Sequence, residues 1–202
     1  LTLTLQVKSQ TQIGNSNFEA WETSTDEIAE PVNWNSFMTA SGSFSFAAST
    51  QMARSTNTRP GSTGIYSARI WSRNAGFGII AQGNMTLGRI EMGATSASST
   101  ANYNYSSIAN AAFSEAFTDR PDSVVIWVKY KPANTGAGHM GRVSTVIHNN
   151  TNTYKDPNDV SGANTIATAI LNFPYTNGNW QRLSIPFTYV GTPANAAFIL
   201  TT

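Results

Sequence analysis

Between Ile65 and Arg73 the side chains alternate so that Ser67, Arg69, Trp71 and Arg73 fall on one face of a strand. An indole set between two guanidinium groups suits sugar recognition. Its apolar face stacks on the hydrophobic side of a pyranose ring, while planar donors beside it bond the ring hydroxyls. Arg69, Trp71 and Arg73 are therefore candidate carbohydrate-binding residues. The same side chains also suit a solvent-facing cation–π ladder with no ligand, and spacing alone does not separate the two readings. The opposite set, Tyr66, Ala68 and Ile70, reads as core.

Tyr103 and Tyr105, separated by Asn104, lie in a stretch from Glu91 to Ser114 that fits no strand pattern. They either line the rim of a binding groove or anchor a long loop to the sheet. Near the start, Phe18 and Trp21 flank Glu19, two apolar anchors that draw a carboxylate toward a sheet edge. A carboxylate placed there needs a partner, and a hard cation such as calcium, bound through several oxygens, is one. Glu19 is thus the candidate metal ligand. The alternative is that it pairs with an arginine or caps a turn. An ion at this place would be structural and would not activate water.

Glycoside hydrolysis generally uses two carboxyl groups flanking the scissile bond, one with a raised pKa. Five of the eleven acids crowd into residues 19 to 30; the others are Glu91, Glu115, Asp119, Asp122, Asp156 and Asp159, mostly in expected turns or long loops. No two of them can be assigned to facing strands. His139 and His148 are the only histidines, and their spacing matches no metal pattern. Zincin, serine-hydrolase and P-loop motifs do not occur. No catalytic residue is assigned. Arg120, fixed in extended geometry by Pro121, is expected to make an internal ion pair.

The elements that must position these groups are short and strand-like. Expected strands run over 43–48, 64–73, 78–87, 123–131, 142–148, 165–172, 182–189 and 196–200, separated by Gly, Asn, Ser and Pro clusters. The apolar run Val124 to Val128 implies burial on both faces or a central position. Trp21, Trp34, Trp127 and Trp180 are expected in the core. Leu1 to Val7 alternates like a strand with one wet face, either the first strand of the domain or the end of an upstream one. Residues 1–12 are set apart as a leading strand or linker, and 13–202 as one domain. Eight or more strands and few helical windows predict an all-β fold, a two-sheet antiparallel β-sandwich of jelly-roll type.

Composition agrees. Charged residues make up 11% of the 202, against roughly 25% in an average soluble domain. Ser, Thr and Asn fill about a third of the chain instead, as in exported β-proteins. A net charge of +1 offers nothing to nucleic acid or an anionic membrane surface. The absence of cysteine removes disulfides and thiolate metal sites. No apolar run approaches the roughly 20 residues of a membrane helix. No basic segment followed by an apolar one stands at the start, so any export signal lies outside these residues.

Several short segments, taken in order, carry a family resemblance. They are Asn17-Phe-Glu-x-Trp21, Pro31-x-x-Trp34, Gly64-Ile-Tyr-Ser-Ala-Arg69, Ala81-Gln-Gly83 with Gly88, Phe117-x-x-Arg120-Pro121, Lys129-Tyr130-x-Pro132, and Trp180 leading through Ile185-Pro186 to Tyr189. Together they resemble the "putative carbohydrate metabolism domain" of Bacteroidetes exported proteins. More distantly, they are similar to calcium-containing jelly-roll carbohydrate-binding modules. The resemblance implies a secreted or cell-surface jelly roll, with backbone carbonyls of residues 59–64 completing a calcium site at Glu19. It also implies a closing Asp-bearing strand, which either lies beyond Thr202 or gives way here to a different closure.

The expected function is a glycan-binding domain of an exported bacterial protein, with a polysaccharide or oligosaccharide as partner and an extracellular, cell-surface or periplasmic location. An adhesion or spacer module that packs against neighbouring domains is the second reading. A polysaccharide-active enzyme is the third.

Overall fold

The computed structural model describes residues 12–76, 78–149, 151–190 and 196–202; the strand expected over residues 1–7 and most of the leading segment 1–12 lie outside these. Fourteen strands follow in order: β1 Met52–Ser55, β2 Ser67–Ile70, β3 Arg73–Gly76, β4 Ile79–Ala81, β5 Arg89–Met92, β6 Asn102–Ser107, β7 Glu115–Ala116, β8 Ser123–Val128, β9 Gly141–His148, β10 Thr153–Asp156, β11 Thr165–Phe173, β12 Gln181–Pro186, β13 Thr188–Tyr189 and β14 Phe198–Thr201. Every strand pair is antiparallel. The only helices among the described residues are three single 3-10 turns. The chain is an all-β antiparallel sandwich, as its composition predicts.

The main sheet runs β13-β11-β9-β14-β7. Its centre, β9, is buried from Val143 to His148 because both of its faces are covered. On one side Ile147, Ala167 and Ile199 pack with Trp34, Leu87 and Phe117. Further along the same side, Val143, Ala169 and Phe173 meet Leu183 and Ile185 of the β8-β12 ribbon. On the other side Val146 and Leu200 pack against Tyr154 of the three-stranded sheet β10-β6-β5. Full burial of one such aliphatic side chain contributes roughly 1.5–3 kcal/mol. β12 shows the simple pattern of a one-sided strand: Leu183 and Ile185 face inward while Arg182, Ser184 and Pro186 are exposed.

Several expectations are corrected here. Ser43–Ala48 is no strand: Phe44 caps and Phe46 sits on a 3-10 turn at Ser45–Ala47, and Phe46 is 82% exposed because no strand among the described residues pairs with it. The stretch Glu91 to Ser114 holds the end of β5 and all of β6, so it is no long loop. The stretch after Asn149 likewise holds β10. β8, expected to be buried on both faces or central, is half-buried throughout, since β12 is its only strand partner among the described residues. Trp34 alone of the expected core tryptophans is buried. Trp21, Trp127 and Trp180 are half-buried, the last giving its indole N–H to the Asn57 side chain at 3.1 Å. Beside these corrections, Arg120 sits over the Tyr189 ring, 4.7 Å from its centroid, a contact compatible with the expected ion pair.

Candidate functional site

The two-stranded ribbon β1-β2 carries the residues with the best-placed chemistry. Its register sets Arg69 opposite Ala53 and Arg54 opposite Ala68, so the two arginine stems leave the ribbon on opposite sides. At the Ser55–Tyr66 end of the ribbon a cleft of about 360 Å3 takes in both, with Glu27, Ala53, Ser55, Thr56 and Tyr66 completing its lining. That volume lies within the roughly 300–1,000 Å3 of small-molecule pockets. Tyr66 was expected in the core. It is half-buried and lines the cleft instead, because it precedes the paired part of β2.

Trp71 stands one residue beyond β2. Its N–H donates to the Gln51 carbonyl at 3.1 Å, and its carbonyl accepts from the Gln51 side-chain amide at 2.9 Å. Gly83 packs on the Trp71 backbone so closely that a Cβ there would sit 2.8 Å from its nitrogen. The backbone is thereby pinned while the indole stays half-buried. The Arg69 guanidinium lies 5.5 Å from that ring's centroid. Arg73 opens β3 and turns its Nε to the Asn74 carbonyl at 3.3 Å, so it is Arg69 that meets the indole.

The same motif occurs three times nearby. Arg54 sits over Tyr66 at 4.8 Å, Arg59 over Trp127 at 5.2 Å and Arg69 over Trp71 at 5.5 Å. Asn57 links the ribbon to Trp180, its carbonyl accepting from the Ser67 hydroxyl while its side-chain oxygen accepts from the Trp180 indole N–H. Arg54 also donates to the Ser24 carbonyl at 3.0 Å and, weakly, to that of Thr23. Sequence reasoning missed Arg54 and Tyr66. A readable signal existed: residues 31–90 hold five arginines and no lysine, aspartate or glutamate.

Tyr103 and Tyr105 are elsewhere, on β6. Glu91 pairs with Tyr103 in register, and both Arg89 and Lys155 pair with Tyr105, so all five share one face. The opposite face is closed by Ile90, Ser106 and Tyr154. The two rings meet edge-on at 5.9 Å, and Lys155 Nζ lies 4.6 Å from the Tyr103 centroid. The Tyr105 hydroxyl lies 3.1 Å from the Ser41 Oγ, which donates to Glu91 Oε2 at 2.7 Å. Among the described residues no hydrogen bond or ring contact joins this face to Trp71.

Glu19 accepts from the Tyr66 N–H at 2.9 Å through Oε1, and the same oxygen lies hard against the Gly64 backbone. The carboxylate therefore does meet the 59–64 turn, which its contact with Gly64 ties to β2. Among the described residues no three His, Cys, Asp or Glu side chains gather as a metal cluster. Glu30 is 1% exposed and its carboxyl pKa is pushed up, chiefly by burial. Ser36 and Thr39 donate to its Oε1, while Oε2 has no partner among the described residues. Glu27 is the only carboxylate in the cleft lining, so no acid pair faces across it.

His148 is fully buried, stacked 4.4 Å from Tyr154, with Nδ1 at 2.9 Å from the Asn149 carbonyl and Nε2 at 3.0 Å from Ser106 Oγ. Burial lowers its pKa to about 4, so it is neutral at pH 7. The neutral ring donates from Nδ1 and accepts at Nε2, a packed and satisfied histidine.

No family model matches the chain, and no curated protein does. Its fold is similar to the crystal structure of a "putative glycoside hydrolase" from Bacteroides thetaiotaomicron, with a TM-score of 0.63 at 17% identity. The similarity covers 96% of this chain and 64% of that one. At such identity the likeness is one of fold.

Proposed function

We propose that this chain is a glycan-binding domain of an exported bacterial protein that captures polysaccharide. The observation that carries the reading is the half-buried Trp71 with Arg69 over it, next to an open polar cleft. A ring held by its backbone and left partly outside the core is pre-organised, so little side-chain entropy is lost on stacking against a sugar. Arg73, on the neighbouring strand, extends the donor surface. Tyr103 and Tyr105, on the outer face of β6, supply a second contact surface. The similar Bacteroides structure supports a carbohydrate-related role through its name, as does the resemblance to the carbohydrate metabolism domain of exported Bacteroidetes proteins. Among the described residues no helix is long and apolar enough to cross a membrane. A glycan array with the wild-type chain and Trp71→Ala tests the proposal. Retention by the wild type alone supports it, equal retention of the two folded proteins rejects Trp71 as the platform, and retention of neither rejects the glycan-binding role.

Structural calcium belongs to the same proposal. Glu19 would contribute a carboxylate oxygen and the 59–64 turn its carbonyls, tying the opening segment to β2. Calcium added to chelator-treated protein should raise the melting temperature. No rise and no heat of binding would remove the ion from the account.

A spacer module packed on neighbouring domains is the second reading, favoured by the exposed Phe46, Ile65 and Ile80. The enzyme reading draws on the name of the similar structure, and the cleft's single carboxylate offers it little.

A further inference from the structure

We propose that the cleft takes an anionic polysaccharide, one carrying carboxylate or sulfate on its sugar rings, and that Arg69 and Arg54 select it. This rests on the glycan-binding reading and narrows its ligand.

The first argument is charge placement. The chain has nearly balanced charge, yet the sixty residues from 31 to 90 carry five arginines and no acid. Three of these arginines, 54, 59 and 69, belong to the ribbon and its loop. The second is that neither cleft arginine is neutralised. Arg54 meets a ring and two backbone carbonyls, Arg69 meets a ring, and among the described residues no carboxylate pairs with either. A ring contact uses no N–H donor, so the donors of Arg69 remain for a ligand. A guanidinium fork matches a planar carboxylate or a sulfate in bidentate fashion.

The third argument is shape. Arg54 and Arg69 leave the ribbon on opposite sides, and both line the one cleft. A chain with a charge on successive rings offers an anionic group to each of them. Nucleic acid is less suited. The acidic segment that ends at Glu30 borders the cleft, with the Glu27 carbonyl bonded to the Arg54 N–H at 2.7 Å. It confines the positive surface to a strip, whereas a duplex needs a broad basic field.

The test is titration calorimetry with oligogalacturonate, sulfated galactan oligosaccharide, neutral galactan oligosaccharide of equal length, and single-stranded DNA. At least one anionic sugar should bind tenfold or more tighter than the neutral one, with an advantage that shrinks as sodium chloride is raised. Arg69→Gln should remove most of that advantage, and Arg69→Lys should restore part of it. Glu27→Gln should strengthen anionic binding. Arg69 is exposed, so its variants should melt with the wild type. The inference is overturned if neutral sugar binds as tightly as anionic, if Arg69→Gln keeps the preference, or if DNA binds as well. In the first two cases the glycan-binding reading survives. If no sugar binds at all, both fall.

Discussion

Gln51 and Trp71 are bonded reciprocally: the Gln51 carbonyl accepts from the Trp71 N–H, and the Gln51 side-chain amide donates to the Trp71 carbonyl at 2.9 Å. The same amide reaches the Ala81 and Gln82 carbonyls at 3.0 and 3.2 Å, and Gln51 is 1% exposed. One buried side chain therefore holds the end of β2 and the turn after β4. Gln51→Leu leaves those carbonyls without their donor, at about 1–3 kcal/mol for an unsatisfied buried group. Denaturant melts should show a loss in that range, and glycan binding should weaken more than for a surface change of equal cost in stability. Unchanged stability would mean that the amide does not organise this turn.

Gly64 leaves room for the Glu19 carboxylate. A methyl group at 64 would collide with it and displace the carboxylate from the Tyr66 N–H. Gly64→Ala is expected to cost roughly 1–3 kcal/mol, chiefly because the Tyr66 N–H loses its acceptor when the carboxylate moves aside. If calcium is bound as proposed, the variant should also lose the stabilisation that calcium gives.

His148 makes stability fall in acid. Its folded pKa of about 4 lies below the ordinary 6.5, so between those values the unfolded chain takes up a proton that the folded chain refuses. The contribution is present above pH 6.5 and is lost as pH drops toward 4, by up to roughly 3 kcal/mol. Urea melts across that window should show the decline, and it should be smaller in a folded His148→Gln variant. An identical decline in both would assign it to other groups.

Glu30 acts in the opposite sense. Burial raises its folded pKa, so its proton is held in the native state and stability is lost as pH rises through that raised value. Glu30→Gln should be less stable than the wild type at pH 4, where its amide N–H2 takes the place of the partnerless Oε2. The gap should narrow as pH climbs. A gap independent of pH would show that Glu30 does not titrate within the measured range.

The strands most legible in the sequence were those where burial imposes a pattern. β9, β11 and β12 read directly because apolar residues recur wherever a face is covered. β6, with its Asn-Tyr-Asn-Tyr-Ser-Ser sequence, has the composition of a loop, and pairing with β5 and β10 makes it a strand. The converse holds at Ser43–Ala48, where alternation finds no partner strand. Trp127 looked internal because its neighbours are apolar; at a ribbon with a single strand partner it reaches the surface and meets Arg59. Within the candidate site Arg69 and Trp71 were legible as local neighbours. Arg54 was not, since only the β1-β2 register brings it to the cleft.

Affinity electrophoresis through gels containing plant and microbial polysaccharides tests the central claim most directly. The wild type is expected to be retarded in at least one gel, and Trp71→Ala, with unchanged circular dichroism and melting temperature, to run about as it does without polysaccharide. Free migration of the folded wild type in every gel would contradict the account.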